Sequence, residues 1–559
     1  MTTTFMVRMP APVVERRGGS PVGWLLAAGW IAQVAVRLWL YRYHAGPVAN
    51  PDETGYLLAA RWLAGGAGAD LSGSTFYHAG YALLLVPIFW LTSDPGLAYR
   101  LVAGVGALVA AGAYPVAYLL LRRLRLGRRA ALIVAFTAGL SPALLLFSGL
   151  ALADAILPTL VLAWLVALHD LVARGPLRRR VAAGIVTGAL PAYAMAVHLR
   201  GTVVLAVAVL VLAVVWRRVP RAAAAAALGS AAVVAAAGRA LNGALEAALY
   251  PGGPRDLSGM LLSRLTSLEG QAWALSGAAG QLWYLIAGTW GLAGVGLAGA
   301  AALLVRRSAP FPHRVLAGTL LITTLGIAYA SSAALPDEHR VGNYAYGRYL
   351  ACVAVAWTLA GLLALLRGGR PAVTRLALAA TGLLAVTGGV AAWYAGDRLQ
   401  RYAFIAFDFP EVIFLTGVGD RFDLVAASLS ALALLACLAG TALLTTGRAR
   451  MLVVGVPVLI HLAFTAHLAP SPPSAAYGAW LPAPSPGRVA MDAKVAWNVR
   501  VPLAYRVWWT ELERFHGTPP AGVCTAVVPP DASPPPGWTA TGQGGVRQGW
   551  TSWSDPGCR

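Results

Sequence analysis

Charged residues are scarce in this chain. They make up 12% of its 559 residues, about half the share of roughly 25% that soluble globular proteins carry. Long apolar runs recur from residue 23 to residue 467, so the deficit excludes a soluble enzyme. Glycine and proline, with 62 and 36 residues, stay below the share typical of disordered or collagen-like chains.

Lysine and cysteine are also rare. Lys494 is the only lysine and there are four cysteines, too few for a disulfide scaffold, and no CxxC or histidine-rich spacing supports a zinc site. The net charge of +21 is therefore almost wholly arginine, clustered between apolar segments. Such clusters orient membrane proteins and argue against a nucleic-acid partner, and the arginine-rich usage is typical of a high-GC, actinobacteria-like bacterium.

What the sequence has is apolar length. It is 58% hydrophobic with a mean hydropathy of +0.66, and each membrane crossing needs about 20 apolar residues. If all the arginine clusters are cytoplasmic, the N-terminus lies in the cytoplasm of a bacterial cell and the C-terminal tail lies outside, with an uncleaved first span. We predict an all-α integral membrane protein with thirteen transmembrane helices, at about residues 22–42, 97–121, 131–149, 155–173, 181–198, 201–216, 222–248, 280–305, 315–334, 348–366, 372–394, 424–446 and 451–468.

The first outer loop, about residues 43–96, is predicted to hold two juxtamembrane helices. Residues 80–92 are apolar but too short to cross comfortably, so we place them in the outer interface. Residues 56–63 form an amphipathic segment that we expect to lie on the bilayer.

The chain divides into three regions. Residues 1–468 form the membrane domain, residues 469–488 a proline-rich linker, and residues 489–559 a small extracytoplasmic tail with a helix near 489–516. Cys524 and Cys558 both fall in this tail, where an oxidising compartment lets a disulfide persist. The alternative is two free thiols.

Two acidic positions at the outer surface are candidates for chemistry. Asp52 and Glu53 follow the first span, and partial burial there can tune a carboxylate into a general base. The alternative is that they cap the helix that follows. Asp154 lies at the outer end of a span, where a carboxylate is costly and indicates function, unless it too is a helix cap.

A third group is basic and aromatic. The positive-inside rule does not explain arginines on the outer side. Arginine binds phosphate through two parallel N–H groups of its guanidinium. The alternative for each residue alone is contact with lipid headgroups. The candidates for phosphate and substrate binding are Tyr56, His78, Tyr81, His198, Arg200, Arg340, Arg348 and Tyr349.

These motifs resemble the GT-C superfamily of membrane glycosyltransferases, which includes protein O-mannosyltransferases, the lipid A aminoarabinose transferase and arabinosyltransferases. The resemblance covers roughly residues 20–350. It is carried by the Asp52-Glu53 pair after the first span, by the segment from His78 to Tyr81, and by the Tyr-Gly-Arg-Tyr-Leu motif at 346–350.

The resemblance implies a GT-C-like bundle that moves a hexosyl or pentosyl group, with inversion, from a polyprenyl-phosphate donor to a hydroxyl of a protein, lipid or cell-wall glycan. Asp52, with Glu53 beside it, would be the base and Asp154 the second acid, while the cations would stabilise the leaving phosphate. A strict metal requirement is not implied, but Asp52 and Asp154 could share Mg²⁺ or Mn²⁺.

Two other functions use the same parts. A transporter or flippase for a lipid-linked sugar needs the same apolar groove and cations, but transporters usually carry mid-bilayer polar residues and repeats. A lipid-linked glycan polymerase or ligase would be chemically close.

Overall fold

A computed structural model of the chain describes residues 21–44, 46–49, 51–470, 488–507 and 511–558. A helical bundle comes first, and a small region with a β-sheet follows it. The helices of the bundle are α1 (Pro21–Leu40), α2 (Asp52–Leu63), α3 (Ala79–Leu91), α4 (Pro95–Ala111), α5 (Ala113–Arg123), α6 (Arg128–Gly139), α7 (Pro142–Phe147), α8 (Leu157–Val172), α9 (Leu177–Val197), α10 (Arg200–Val215), α11 (Arg221–Leu249), α12 (Leu257–Leu265), α13 (Leu268–Gly288), α14 (Leu292–Val305), α15 (Phe311–Ala334), α16 (Ala351–Arg367), α17 (Arg370–Ala395), α18 (Arg398–Arg401), α19 (Pro410–Thr416), α20 (Leu424–Leu444) and α21 (Leu452–His467).

The helices confirm a multi-pass membrane protein. Ten helical segments among the described residues are long and apolar enough to cross a membrane, or eleven if the bent pair α13–α14 is one span. Helices α4 and α5 act as a single segment, Pro95–Arg123. These ten segments coincide with ten of the thirteen predicted spans, and α8, with 16 residues, matches an eleventh.

The other two predicted spans are not continuous helices. The span predicted over 131–149 is wrong as one continuous helix, because α6 ends at Gly139 and α7 begins at Pro142. Pro142 lacks a backbone N–H and disfavours helix at the residue before it, and Ser141 is extended, with φ −61° and ψ 147°.

The break leaves carbonyl groups at the end of α6 without hydrogen-bond donors from the helix itself. Side chains of α1 and α21 contact these carbonyl groups instead. Gln33 donates to the Phe136 carbonyl at 2.9 Å, and Arg37 donates to the Gly139 carbonyl at 2.6 Å. The Nδ1 of His461 lies 3.0 Å from the Thr137 carbonyl. These contacts explain the buried arginine in the first span.

The span predicted over 280–305 is also wrong as one helix, because α13 and α14 meet at 112°. Trp290 and Gly291 have φ of 60° and 82°, a left-handed conformation that ends a helix and favours glycine. A Cβ on Gly291 would lie 2.8 Å from Leu435, so the bend also has no room for a larger residue.

The two juxtamembrane helices are present as α2 and α3. The prediction that residues 56–63 lie on the bilayer is wrong, because nine of the twelve residues of α2 are buried, Arg61 among them. The helix packs against α3 on one side and against the C-terminal region on the other.

The C-terminal region is a mixed sheet with one helix. Its elements are β1 (Arg488–Asp492), α22 (Trp497–Arg506), β2 (Glu513–Phe515), β3 (Val523–Val528), β4 (Thr539–Gly545) and β5 (Trp550–Ser554). The strand order is β2-β1-β3-β5-β4, with β1 parallel to β2 and β3, and β5 antiparallel to β3 and β4. The single helix predicted near 489–516 is therefore wrong, since strands take both of its ends.

The disulfide predicted between Cys524 and Cys558 is confirmed, with Cα atoms 5.6 Å apart. It ties β3 to the end of the described chain. Most of the predicted linker, residues 471–487, lies outside the described residues.

The C-terminal region is fastened to the first outer loop. Arg500 donates to the carbonyls of Asp70 at 3.1 Å and Ser72 at 2.6 Å, and Arg514 pairs with the Asp70 carboxylate at 2.9 Å. Tyr505 donates to the Pro95 carbonyl at 2.8 Å. The sheet is therefore held beside the loop that carries Asp52.

Candidate functional site

Four predicted site residues from distant parts of the chain meet in one ion-pair network. Asp52 begins α2, Asp154 lies in the short 3-10 turn before α8, Arg200 begins α10, and Arg348 begins the 3-10 turn that leads into α16. All four residues lie at the beginning of a helix or a 3-10 turn.

Arg348 joins the two aspartates. Its Nη1 lies 2.6 Å from Asp52 Oδ2, and its Nε lies 2.8 Å from Asp154 Oδ2. The other oxygen of Asp154 pairs with Arg200 Nη2 at 2.7 Å. The network therefore runs Asp52, Arg348, Asp154, Arg200, with two charges of each sign.

Asp154 is the buried centre of the network, with 1% of its side chain exposed. Burial alone would raise the pKa of this carboxyl, but Arg200 and Arg348 outweigh burial and hold its pKa well below the usual range. Its oxygens accept guanidinium hydrogen bonds and its side chain does not cap α8. Asp154 is thus a permanent anion that positions both arginines.

Asp52 differs from Asp154 in its exposure. About 35% of its side chain is exposed, and Oδ1 accepts a hydrogen bond of 3.3 Å from the Tyr77 hydroxyl. Among the described residues, the Asp52 side chain accepts hydrogen bonds from the side chains of Tyr77 and Arg348 and none from a backbone N–H of α2. Asp52 is therefore a fixed carboxylate with an open face, which is what a general base needs.

Glu53 points the other way and is fully buried. One oxygen accepts from the backbone N–H groups of Val48 and Ala49, each at 2.7 Å, and the other accepts from Tyr99 at 2.6 Å and from the Ala151 N–H at 2.7 Å. Burial raises the pKa of Glu53, and these hydrogen bonds oppose the shift. With four donors, Glu53 braces the loop that presents Asp52.

His78 and His198 stack with ring centroids 6.2 Å apart. Burial lowers the pKa of His78 to about 4 and that of His198 well below its usual value, so both rings are neutral at neutral pH. We expected them to add positive charge, and burial overrides that expectation. His198 Nδ1 accepts from the Arg200 backbone N–H at 3.1 Å, which leaves its Nε2 as the protonated nitrogen.

The predicted tyrosines take different positions. Tyr56 and Tyr81 are buried and meet edge to face, with centroids 5.2 Å apart, so they form the wall behind the network. Tyr349 lies under the Arg200 guanidinium at 5.2 Å and against Tyr346 at 4.6 Å. Tyr349 therefore belongs to the site itself.

Arg340 does not bond to the four network residues directly; Tyr346 lies between it and Arg348. Arg340 pairs with Glu338 at 3.1 Å, stands 3.7 Å from Asp408, and covers the Tyr346 ring at 5.4 Å. Tyr346 in turn lies 3.4 Å from Arg348 Nη1. Arg340 thus flanks the site through an aromatic contact.

An apolar cavity opens beside Arg348. Its polar lining includes two acids that the sequence analysis did not single out, Asp408 and Glu411. Burial raises the pKa of Asp408 to about 6, and its Oδ2, 3.7 Å from Arg340, accepts no hydrogen bond from any residue that the structure describes. Glu411 accepts a 2.6 Å hydrogen bond from Tyr284. The apolar lining comes from Pro142, Ala143, Phe147, Leu285, Ala351 and Ala354.

Arg348 lies between the carboxylates of Asp52 and Asp154 and bonds to one oxygen of each. A Mg²⁺ or Mn²⁺ ion shared by the two aspartates would therefore have to displace this guanidinium. In the part of the chain that the structure describes, no three His, Cys, Asp or Glu side chains are grouped to hold a metal ion.

Comparison with known proteins identifies the fold. No family model and no curated protein matches the sequence. The structure of ArnT from Cupriavidus metallidurans bound to undecaprenyl phosphate matches with a TM-score of 0.55 at 13% identity, over 96% of this chain and 98% of that one. The apo form of that protein matches with a TM-score of 0.54 at 14% identity, over 95% and 98%.

The arabinosyltransferase EmbB from Mycobacterium smegmatis also matches, with a TM-score of 0.40 at 15% identity, over 83% of this chain and 42% of that one. These proteins are GT-C membrane glycosyltransferases. The chain has the ArnT fold along almost its whole length, so the GT-C-like fold predicted from the motifs is confirmed.

Proposed function

We propose that this protein is an inverting glycosyltransferase that moves a sugar from a polyprenyl-phosphate donor to an acceptor hydroxyl. The observation that carries the proposal is the position of Arg348, which bonds an open carboxylate, Asp52, and borders an apolar cavity. A base, a phosphate-binding cation and a lipid-compatible wall thus adjoin one another.

The cavity encloses only about 30 Å³, room for about one water molecule, so a lipid-linked donor would lie along its apolar lining only after the cavity widens. Its walls are largely apolar, and Arg348 stands at its polar end, where Nη2 donates to no described residue. Guanidinium is well suited to phosphate. The shared fold with ArnT, whose structure holds undecaprenyl phosphate, supports the same class of donor here.

The chemical step follows from Asp52. The acceptor O–H gives its proton to the open carboxylate, its oxygen attacks the anomeric carbon, and the bond from that carbon to the phosphate oxygen breaks as polyprenyl phosphate leaves. Because one displacement occurs, the anomeric configuration inverts.

Proton transfer and phosphate departure are coupled through Arg348. When Asp52 becomes neutral, its ion pair with Arg348 Nη1 weakens, and the guanidinium is freed to meet the charge that develops on the leaving phosphate. Asp154 keeps Arg348 in place throughout. The neutral His78 and His198 supply N–H hydrogen bonds rather than charge.

We also propose that the site faces outward from a bacterial plasma membrane. Arg122 and Arg123 end α5 and Arg128 begins α6, at the end of the bundle opposite Asp154. If that end is cytoplasmic, as clustered arginines favour, then Asp52 and the C-terminal region are extracytoplasmic.

The test is sugar transfer in membranes that contain the protein. A panel of radiolabelled polyprenyl-phosphate sugars is supplied to wild type, Asp52→Asn and the control Asp420→Asn, which changes an exposed acid in the loop before α20. We expect incorporation by wild type and the control, and its loss in Asp52→Asn. If wild type turns over none of the donors but moves them across the bilayer, the protein is a transporter and the proposal is wrong.

A further inference from the structure

A second cavity, polar in its lining, lies at the end of the bundle opposite the candidate active site. It measures about 500 Å³ and forms where the ends of α5 and α8 meet the starts of α6 and α9. The 16 residues of α8 rise about 24 Å at about 1.5 Å each, and they separate this cavity from Asp154. It is therefore distinct from the candidate active site.

The cavity is strongly basic. One acid, Asp170, lines it, so four positive charges are in excess before any contribution from His169. The arginines that line it are Arg122, Arg123, Arg128, Arg174 and Arg179.

Asp170 organises part of this lining. Arg123 binds both of its oxygens, at 3.0 and 2.9 Å, and Arg179 binds one at 2.9 Å. Arg128 and Arg174 are exposed and make no ion pair or hydrogen bond through their side chains with the residues that the structure describes. Two guanidinium groups thus remain available beside a fixed pair.

Orientation of the chain explains why arginines occur at this end, but not why four helix ends enclose a cavity around them. Arginine forks bind phosphate oxygens in pairs, and basic cavities between membrane helices are suited to anionic lipid headgroups. The chemistry of the cavity is that of a phosphodiester site.

Its rim favours a lipid as the source of the phosphodiester. Leu119 lines the cavity and is 38% exposed. It offers apolar surface to an acyl chain while the headgroup meets the arginines. A soluble phosphate would have no use for this surface.

We propose that this cavity binds the phosphodiester headgroup of an anionic phospholipid at the membrane face opposite the candidate active site. The inference does not depend on the proposed transferase activity. It concerns a structural or regulatory lipid site.

The test measures lipid binding by the purified full-length protein. Native mass spectrometry titrates phosphatidylglycerol and phosphatidylcholine against wild type, Arg128→Gln/Arg174→Gln and the control Arg307→Gln/Arg375→Gln. The control removes the same charge from exposed arginines outside the cavity. We expect wild type and the control to prefer phosphatidylglycerol, and the cavity variant to bind it about thirtyfold more weakly.

Three results would overturn the proposal. They are equal affinity of wild type for the two lipids, an equal loss in the control variant, and unchanged phosphatidylglycerol binding in the cavity variant. In a parallel arm inorganic phosphate is the probe: if phosphate binding needs Arg128 and Arg174 but phosphatidylglycerol binding does not, the cavity takes a soluble anion and the lipid assignment is wrong. Unchanged thermal unfolding of both variants excludes misfolding as the cause.

Discussion

At the scale of single residues, the site depends on a buried carboxylate that two arginines share. Asp154 is almost without solvent contact, and Arg200 and Arg348 compensate for the cost of its burial. Removing one partner from a buried ion pair leaves an uncompensated charge, which typically costs about 3–5 kcal/mol.

Because Arg200 still pairs with Asp154 in Arg348→Met, we expect this variant to lower the free energy of unfolding by about 1–3 kcal/mol, less than the loss of both partners would. The control Arg307→Met removes an exposed arginine and is expected to stay within about 0.5 kcal/mol of wild type. Thermal and denaturant unfolding in detergent measure both. Equal unfolding of the two variants would show that Asp154 does not need Arg348.

The raised pKa of the Asp408 carboxyl makes the free energy of unfolding depend on pH. This pKa is raised to about 6 by burial, above the ordinary value near 3.9, so the folded state holds the proton more tightly than the unfolded state. The stability that Asp408 contributes is present below about pH 4 and is lost as the pH rises through 6.

Asp408→Asn removes this dependence. Relative to wild type, the variant should gain stability between pH 4 and pH 8, by up to roughly 3 kcal/mol for two units of pKa. Unfolding temperatures of both proteins across that range test the sign. A difference that stays constant with pH would contradict the raised pKa.

The sequence singled out all four residues of the ion-pair network but not their pairings. Asp52, Asp154, Arg200 and Arg348 stood out because polar residues beside apolar spans are unusual. The ion pair between Asp52 and Arg348 joins residues 296 positions apart, which no local pattern can predict. Asp408 was missed, although its signal, two acids around a proline in an apolar loop, is visible in the sequence.

At the scale of elements, broken helices shape the bundle. The gap between α6 and α7 places α7 against the apolar cavity, and buried side chains compensate the carbonyl groups that the gap frees. Among these buried side chains, Arg37 has the highest cost of burial, because it carries a charge. Its guanidinium has no carboxylate partner among the described residues and donates only to carbonyl and amide oxygens.

We expect Arg37→Met to destabilise the protein by about 1–3 kcal/mol, the usual cost of a buried polar group left without a partner. Arg42→Met is the matched control, because Arg42 is exposed near the end of the same helix. The measurement is the unfolding temperature of each variant in detergent. Arg37→Met as stable as the control would mean that the Gly139 carbonyl finds another donor.

Continuous helices were predictable from apolar length, but the breaks were not. Pro142 signalled the first break and was outweighed by the apolar residues around it. The turn at Trp290 and Gly291 carries only one glycine as a signal. Mean hydropathy over a window as long as a span does not detect either break, because the apolar residues on both sides keep the average high.

At the scale of the whole molecule, the C-terminal region is a separate sheet docked beside the site. Its strands escaped prediction because they are short and because the central strand, β3, is buried throughout and so lacks the alternation of a surface strand. The disulfide was predicted because Cys524 and Cys558 both lie in the tail, which the arginine pattern favoured placing outside the cytoplasm.

We expect Cys524→Ser/Cys558→Ser to destabilise the C-terminal region by about 3–4 kcal/mol, the chain-entropy value for a loop of this length. Limited proteolysis of the intact protein measures it, as faster cleavage within residues 488–558. Cys437→Ser, an exposed free cysteine, is the control. Cleavage of the double variant at the control rate would show that docking through Asp70 suffices.

In the proposed reaction, Asp52 accepts the proton of the acceptor hydroxyl. The most direct test uses purified, reconstituted protein and measures two quantities for wild type and Asp52→Asn: the affinity for the polyprenyl-phosphate sugar that wild type turns over, and the rate of polyprenyl phosphate release. We expect similar donor affinity for the two proteins and a release rate for Asp52→Asn that is lower by about 10²- to 10⁴-fold, the usual contribution of a general base. Equal rates of release would contradict the proposed role of Asp52.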